Sequence, residues 1–558
     1  MRFLFGEKDL KYKILFGIIL LIALFVRLIA IDSPSGLNYD ELFFWNIVSK
    51  NNFLGIIQEL INTDYHPPLY LLVLKFWTIL FGDNDAVLCL LSVLFSTGCA
   101  WILYLIGKTY KNRQFGLKLM LFFAISLTFF SEAQTVRFYQ MALFLCLLSV
   151  LFSLKLIQKQ NLKNYIFLAI VNVLLLYTQT TGIIFIAIEA IILLIYHLKF
   201  FKQYLKRYLF TCLYSLIALI PQFIIFIIQF FNSKQTFWQN PWEWSGAGIG
   251  IMCFINNFII TICPFDILFI PDWLFLIVIC AMFVYIFYFS INKKDKLLFF
   301  LTSFLFCYTV LYYSLQSLQL LNAGCNINYI FLGMTLFLLT LFCILENTKP
   351  VLITILIVLH FIISMTVIFT DFYYYKLNRT NFGTVSNYIT EKKYENSLVF
   401  SLYGDDLIKK YNQNLKTYDI NADKMFTMKN WQNEFNKIFD EDLTKYSIDE
   451  KTKFVLDFIK NDNIAQKFKD QYNEKISKLN KDDYFIVLSP KKRLIHSSII
   501  KSVANNDFDS KHNSKSLLMV CKLNNDILSL AYSDEKLDLV EQNLLHDEWF
   551  IFVFKKIK

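Results

Sequence analysis

Residues 14–31 read ILFGIILLIALFVRLIAI, an apolar run with one charged residue, Arg27. Its length approaches the ~20 apolar residues that a helix needs to cross a bilayer. Ten similar runs follow, near residues 86–107, 115–131, 138–155, 164–178, 180–198, 208–231, 269–291, 297–316, 327–345 and 350–370. The chain is 56% hydrophobic and only 18% charged, which leaves more apolar surface than a soluble domain can bury. The sequence therefore predicts a polytopic α-helical membrane protein with about eleven transmembrane helices.

Loop charge predicts the topology, because short loops rich in Lys and Arg mark the cytoplasmic side. The basic connectors are residues 1–13, 108–118, 155–163, 199–207 and 293–296, with a weak one at Lys349. Placing them all inside requires eleven spans and excludes the short run Pro67–Phe81, which we expect in the outer interface among the juxtamembrane helices. The outer side then receives residues 32–85, 131–137, 232–268 and everything after about 371.

Residues 371–558 differ abruptly from the transmembrane module 1–370. Their apolar runs shrink to strand length, as in NSLVFSL and DYFIVLSP, between polar segments with helical periodicity. We expect a C-terminal mixed α/β soluble domain on the outer side. Its 30 Lys and Arg against 28 Asp and Glu leave it nearly neutral, so nucleic acid is not an expected partner.

Two polar motifs fall in the long outer loop. NYDE, residues 38–41, places two carboxylates in an aromatic stretch, where one could serve as a general base. The same pair would also favour a helix N-terminus through the helix dipole. DYHPPLY, residues 64–70, predicts a proline-started helix whose free amides could hold an anion beside His66. An ordinary interfacial helix is the alternative.

Two more polar motifs join neighbouring apolar runs. SEAQTVRFY, residues 131–139, offers the planar guanidinium of Arg137, which suits phosphate oxygens. An arginine that only reaches toward the lipid headgroups is the alternative. YTQTTG, residues 177–182, forms a polar hinge that a plain hairpin turn would explain equally well.

Together and in this order, four stretches resemble the serial motifs of the glycosyltransferase family 39-like enzymes of the GT-C superfamily. That group includes the protein O-mannosyltransferases and the lipid A aminoarabinose transferase. The stretches are LFVRLIAIDSPSGLNYDELFFW, DYHPPLYLLVLKFW, QTVRFYQMALFL and LYTQTTGIIF. The resemblance covers residues 14 to about 200, and it extends more loosely to about 370 through FWQNPWEW and the span start at Asn328-Tyr329.

The resemblance implies a transferase that passes a sugar from a polyprenyl-phosphate carrier to an acceptor at the outer face. Asp40 matches the family's catalytic acidic residue, with Glu41 beside it. The remaining positions that the resemblance assigns are His66, Arg137 and Tyr139 for the donor phosphate, and Gln134, Gln179 and Tyr329 for substrate binding.

The chain also departs from the family pattern. Thr135 stands where the family commonly has Glu, and Glu132 lies one helical turn away as a candidate substitute. Gln179 replaces a frequent His, and Asn328 sits where an Arg often precedes the Tyr. The substrate could therefore differ from those of the better-known members.

The expected reaction is an inverting displacement in which Asp40 is the base, while Arg137 and His66 neutralise the departing phosphate. It requires no cofactor. The carboxylates leave a divalent metal open as an alternative, although no ligand spacing supports one. The expected setting is a multi-pass protein of the bacterial plasma membrane, with a hexose or pentose donor and a protein, lipid or glycan as acceptor. The rival hypotheses are a transporter or flippase of lipid-linked sugars and a non-enzymatic scaffold.

Overall fold

The computed structural model describes residues 7–33, 36–63, 66–126, 132–232, 272–317, 326–367, 382–394, 397–401, 405–417, 466–490, 526–545 and 549–558. The chain divides into two compact units. The first comprises residues 1–32, 44–234 and 244–374, and the second comprises residues 33–43, 235–243 and 375–558. The second unit thus contains, besides the C-terminal residues, the short segment that carries the NYDE motif.

Helices build the first unit. They are α1 (Glu7–Leu28), α2 (Tyr39–Lys50, whose first five residues belong to the second unit), α3 (Phe53–Thr63), α4 (Leu69–Phe81), α5 (Asp85–Tyr110), α6 (Arg113–Ile125), α7 (Tyr139–Gln158), α8 (Leu162–Thr178), α9 (Gly182–Phe200), α10 (Leu205–Asn232), α11 (Asp272–Lys293), α12 (Lys296–Ser317), α13 (Asn326–Thr348) and α14 (Pro350–Val367). Within the described residues, each of the eleven predicted apolar runs contains a helix. Asparagine side chains cap several starts, as where Asn84 accepts a hydrogen bond from the amide of Val87 (2.9 Å) at the start of α5.

Five stretches in the described part of the chain are long and apolar enough to cross a membrane. They are Asp85–Tyr110, Tyr139–Gln158, Gly182–Phe200, Lys202–Gln229 and Lys296–Leu315. The helical, multi-pass character of the chain is therefore confirmed. The count of eleven spans, the interfacial position of α4 and the assignment of inner and outer sides stay predictions.

Glycine allows helices α5 and α6 to approach closely. A Cβ atom on Gly107 of α5 would lie 2.6 Å from the Cα of Gly116 in α6, so any larger residue would push the helices apart. Small residues at helix crossings allow this kind of backbone contact in membrane proteins. The crossing fixes α6, whose C-terminal end lies next to the candidate site.

The second unit contains a mixed sheet. Its strands are β1 (Ser397–Ser401), β2 (Lys416–Thr417), β3 (Tyr484–Pro490), β4 (Leu537–Leu545) and β5 (Trp549–Lys556), in the order β2-β1-β3-β5-β4. β1 runs parallel to β2 and β3, and β5 runs antiparallel to β3 and β4. The two predicted runs NSLVFSL and DYFIVLSP form β1 and β3, which pair with Val399 opposite Ile486. Helices α15 (Phe382–Glu391) and α16 (Gln466–Ser477) accompany the sheet, as expected for a mixed α/β domain.

Candidate active site

The first motif forms the start of helix α2. The side-chain oxygen of Asn38 accepts a hydrogen bond from the amide of Glu41 (3.0 Å), and the Glu41 carboxylate accepts one from the amide of Asn38 (2.7 Å). This reciprocal arrangement is a capping box, which satisfies amides at a helix start. Glu41 is only 5% exposed, whereas Asp40 is exposed. The two adjacent carboxylates therefore differ: Glu41 holds the helix start, and Asp40 is accessible.

The second motif begins helix α4, which starts at Leu69 directly after two buried prolines. The prediction of a proline-started helix is confirmed. Near the end of α10, the side-chain amide of Gln229 donates to the backbone carbonyls of Leu60 (3.1 Å) and His66 (3.4 Å). These hydrogen bonds fasten the backbone of His66 to α10, a role that the sequence did not indicate for Gln229.

The third motif contains a 3-10 turn, Glu132–Gln134, and leads into α7. The hydroxyl and the amide of Thr135 both donate to the carbonyl of Glu132 (2.8 and 3.3 Å). The carbonyl of Thr135 accepts a hydrogen bond from the hydroxyl of Ser92 in α5 (2.6 Å). Thr135 thus stabilises the turn that precedes Arg137. That Glu132 substitutes for the family's glutamate at position 135 stays a prediction.

A buried arginine holds the helix ends beside this turn. Arg27 of α1 is 0% exposed, and its guanidinium donates to the hydroxyl of Ser96 (2.7 Å) and to the carbonyls of Phe123 and Ala124 (both 3.1 Å). The last two carbonyls belong to the C-terminal turn of α6, where a cation is favoured by the helix dipole. Arg27 therefore joins α1, α5 and α6. An arginine within an apolar run was the available signal, since such a charge needs partners.

Gln134 connects the third motif to the C-terminal end of α1. Its side-chain nitrogen donates to the carbonyls of Arg27 (2.9 Å) and Ile29 (2.6 Å), and the residue is 1% exposed. Its side-chain oxygen has no hydrogen-bond partner within the part of the chain that the structure describes. The nitrogen therefore supports the fold, and the substrate-binding role of Gln134 stays a prediction.

Two buried aromatic rings bring the second and third motifs together. The guanidinium carbon of Arg137 lies 4.4 Å from the ring centre of Phe44 and 5.6 Å from that of Phe138. The ring of His66 meets Phe44 edge-on at 5.6 Å and lies 5.0 Å from Phe138. Phe44 is 0% exposed and Phe138 is 4% exposed, while His66 and Arg137 are half-buried. The two predicted phosphate-binding side chains thus contact the same two aromatic rings.

The sequence missed Phe44 and Phe138, although both lie within the quoted motifs. The signal was an aromatic residue next to each polar motif, which is also common in membrane helices and therefore not specific. Tyr139 belongs to the same cluster, because its ring lies 4.7 Å from that of Phe138 and 5.8 Å from the Arg137 guanidinium. Its role at the donor phosphate stays a prediction.

The remaining predicted residues lie elsewhere. Gln179 is 5% exposed and forms the turn after α8, where its side-chain nitrogen donates to the hydroxyl of Thr181 (2.8 Å) and its carbonyl accepts from the amide of Gly182 (3.1 Å). This geometry fits the hairpin-turn interpretation, and substrate binding by Gln179 stays a prediction. Tyr329 lies in α13, but its side chain is outside the described residues. Among the described residues, no group of three or more His, Cys, Asp or Glu could hold a metal.

Residues 65–225 match the family model described as dolichyl-phosphate-mannose-protein mannosyltransferase. The matched segment contains the His-Pro-Pro, Arg137 and Gln179 motifs. No curated protein matches the chain in sequence.

The fold is similar to that of a protein of known structure. The chain is similar to ArnT from Cupriavidus metallidurans bound to undecaprenyl phosphate (TM-score 0.54, 11% identity) and in the apo state (TM-score 0.53, 10% identity), and each alignment covers 96% of this chain and 97% of ArnT. The oligosaccharyltransferase of Archaeoglobus fulgidus in complex with Zn and sulfate is less similar, with a TM-score of 0.43 and 10% identity; the alignment covers 72% of this chain and 62% of that protein. The family model and the ArnT fold confirm the resemblance to GT-C membrane glycosyltransferases.

Proposed function

We propose that this chain, which has the fold of a GT-C membrane glycosyltransferase, transfers a sugar from a polyprenyl-phosphate-linked donor to an acceptor. The observation that carries the proposal is the pairing of His66 and Arg137 around Phe44 and Phe138. These two side chains come from separate motifs, and both suit an anionic phosphate. The family match over residues 65–225 contains both of them.

The donor phosphate must be stabilised as it leaves. When the bond between sugar C1 and the phosphate oxygen breaks, negative charge builds up on the polyprenyl phosphate. Arg137 presents a planar set of donors that fits phosphate oxygens, and His66 adds a ring donor. Because Phe44 and Phe138 cover part of both groups with apolar surface, water competes less for the phosphate and each interaction is stronger.

Asp40 is the proposed general base. It would take the proton from an acceptor hydroxyl as that oxygen attacks C1 from the side opposite the phosphate, so the new bond forms with inversion. The proton ends on the Asp40 carboxylate, and the electron pair of the broken bond leaves with the polyprenyl phosphate. The exposure of Asp40 supports this role, because an acceptor must reach the base. Glu41 fits the role less well, because its carboxylate is engaged in the capping box.

The finer features of the function follow from the sequence patterns. Loop charge supports an active site on the outer face of a bacterial plasma membrane, with the C-terminal domain on the same side. The transferred sugar is a hexose or a pentose, and the acceptor is a protein, a lipid or a glycan. ArnT was crystallised with undecaprenyl phosphate, and a donor on a similar carrier is proposed for this chain.

One buried carboxyl group bears on the transporter alternative. Glu189 in α9 is 0% exposed and accepts hydrogen bonds from Ser149 (2.6 Å), Ser153 (2.8 Å) and Asn172 (2.9 Å). Buried carboxyl groups in membrane helices often mark ion or substrate pathways. Here the three hydrogen bonds engage both carboxylate oxygens within a helix-packing cluster. Glu189 therefore supports packing of α7, α8 and α9 and does not favour transport.

The test is sugar transfer by the purified full-length protein in liposomes, with a panel of radiolabelled polyprenyl-phosphate sugars. We expect label to move from one donor to an acceptor or to water in wild type, and not in Asp40→Asn. Donor consumption by both proteins would remove Asp40 as the base. Movement of intact donor across the membrane without any product would contradict the proposed enzyme and support a flippase.

A further inference from the structure

The role of the C-terminal residues is not assigned by the proposed function, yet one of their side chains contacts the residue directly before the first motif. The hydroxyl of Tyr411 accepts a hydrogen bond from the backbone amide of Leu37 (2.6 Å). Both residues belong to the second compact unit, although they are far apart in sequence. Leu37 directly precedes the Asn38 cap of α2 and is 3% exposed.

Gly36, directly before Leu37, has a backbone conformation and a lack of side chain that both accommodate the tyrosine. Gly36 has a φ of 73°, in the left-handed region that residues with a side chain rarely adopt. A Cβ atom at this position would also lie 2.6 Å from Cζ and 3.0 Å from Cε1 of the Tyr411 ring. Glycine is therefore needed for two reasons. It permits the turn, and it leaves room for the Tyr411 ring, whose hydroxyl accepts the hydrogen bond from the next amide.

Consecutive amides at the entry to α2 are hydrogen-bonded. The amide of Gly36 donates to the carbonyl of Ser33 (3.1 Å), that of Leu37 donates to Tyr411, and that of Asn38 donates to Glu41. Asp40 lies in the first helical turn after this sequence. Of these partners, only Tyr411 comes from a distant part of the chain. Its hydrogen bond therefore ties the turn to the segment that precedes β2 in the same unit.

Tyr411 is itself well supported. It follows a 3-10 helix, Asp405–Lys410, and its amide donates to the carbonyl of Ile408 (3.0 Å), which is 0% exposed. This segment connects β1 with β2 at one edge of the sheet. The hydroxyl is thus presented by a short connection between two paired strands.

We propose that Tyr411 is a positioning residue for the reaction. By accepting the hydrogen bond from the amide of Leu37, it holds the start of α2, and with it Asp40, in the catalytic geometry. This proposal rests on the proposed function, because it assumes that Asp40 acts as the base. A small displacement of a catalytic group lowers the rate of the chemical step more than it lowers donor binding. The C-terminal residues thereby help to position Asp40 within the second unit.

The test compares Tyr411→Phe with a matched control, Tyr472→Phe. Tyr472 is also a tyrosine of the second unit whose hydroxyl makes a hydrogen bond, to Asp534 (3.2 Å), but it has no part in the first motif. In the full-length protein in liposomes, we expect Tyr411→Phe to lower kcat about tenfold with donor KM changed less than twofold. The thermal unfolding midpoint should change by the same small amount in both variants. Tyr472→Phe should keep wild-type kcat.

A second measurement does not depend on activity. Hydrogen exchange of a peptide covering residues 33–43 should speed up in Tyr411→Phe and stay unchanged in Tyr472→Phe, because the Leu37 amide loses its acceptor. Unchanged exchange would overturn the structural contact, and unchanged kcat would overturn the positioning role. If wild type consumes no donor, the proposed function is wrong, and the catalytic role of Tyr411 is wrong as well. The exchange experiment then tests only the hydrogen bond between Leu37 and Tyr411. Gly36→Ala should produce the same faster exchange, since its Cβ would displace the ring.

Discussion

The guanidinium of Arg137 lies 4.4 Å from the ring centre of Phe44, and the imidazole of His66 meets the same ring edge-on at 5.6 Å. One buried ring therefore orients two polar side chains from separate motifs. The face of an aromatic ring attracts a guanidinium, because the π system is electron-rich. Contact with one ring restricts both side chains before any phosphate arrives, and donors that are preorganised in this way contribute strongly to electrostatic stabilisation in enzymes.

Phe44→Leu should lower kcat/KM for the donor. Leucine keeps most of the apolar contact but removes the aromatic face beneath Arg137. A cation–π interaction is worth about 0.5–2 kcal/mol, which corresponds to a roughly 2- to 30-fold loss. Initial rates over a range of donor concentrations measure the effect.

Phe115→Leu is the matched control for this change. Phe115 of α6 is also 0% exposed, and its ring lies 5.9 Å from that of Tyr110 rather than beside a predicted phosphate-binding residue. Both variants should lower the unfolding temperature to a similar extent, since each removes buried aromatic volume. A wild-type kcat/KM in Phe44→Leu would show that the ring does not organise the site.

The two adjacent carboxylates should respond differently to loss of charge. Asp40→Asn should lower kcat by roughly 10²- to 10⁴-fold, the contribution typical of a general base, with no loss of thermal stability. Glu41→Gln should keep most activity, because glutamine can also complete a capping box with Asn38. Activity assays and thermal unfolding of the same preparations measure both effects. The reverse pattern would assign the base to Glu41.

The combination of the motifs made His66 and Arg137 candidates for the site, whereas each motif alone also fitted an ordinary helix or loop. Both residues were candidates because ionisable side chains next to apolar runs are costly to bury and are therefore often functional. Their common contact with Phe44 could not be predicted, since three motifs distant in sequence meet only after the helices pack. The same holds for Gln229, whose amide reaches the carbonyl of His66 from the end of another helix.

Part of the fold could likewise be predicted from the sequence. Apolar runs predicted the helices, and two short runs predicted β1 and β3, because hydrophobic periodicity is a local property. The inclusion of residues 33–43 in the second unit could not be predicted from the sequence. The hydrogen bond from Leu37 to Tyr411 lies within that unit, and neither segment carries a sequence pattern that would indicate it.

Gln134→Ala should lower stability and kcat together. The substitution removes two buried hydrogen bonds to the carbonyls of Arg27 and Ile29 and leaves those carbonyls without this donor. At roughly 0.5–1.5 kcal/mol each, the loss should reach about 1–3 kcal/mol of the free energy of unfolding. Gln158→Ala is the control, because Gln158 also donates to a backbone carbonyl, that of Thr109 (2.6 Å), but is exposed. A raised donor KM with an unchanged unfolding temperature would instead support direct substrate binding by Gln134.

Glu541 should make the stability of the second unit depend on pH. Burial alone would raise the pKa of its carboxyl group, but hydrogen bonds from Tyr388 and Tyr394 and the ion pair with Lys392 outweigh that effect and lower the pKa below its ordinary value near 4.5. The distances to these three partners are 2.5, 2.8 and 3.3 Å. A carboxyl group whose pKa is lowered by folding stabilises the protein above its unfolded-state pKa. That stabilisation is lost as the pH falls through the folded-state value.

Glu541→Gln removes this titration and keeps an amide that can still accept a hydrogen bond from one tyrosine. Wild type should therefore unfold at a higher temperature than Glu541→Gln near neutral pH, and the difference should shrink as the pH falls below about 4.5. Glu474→Gln serves as the control, because Glu474 pairs with Lys478 (2.6 Å) on an exposed helix surface, where such a pair contributes little to stability. Thermal unfolding of the full-length protein between neutral pH and pH about 3 measures both differences. A gap between wild type and Glu541→Gln that stays constant over this range would mean that the Glu541 carboxylate gains no stabilisation from its three partners.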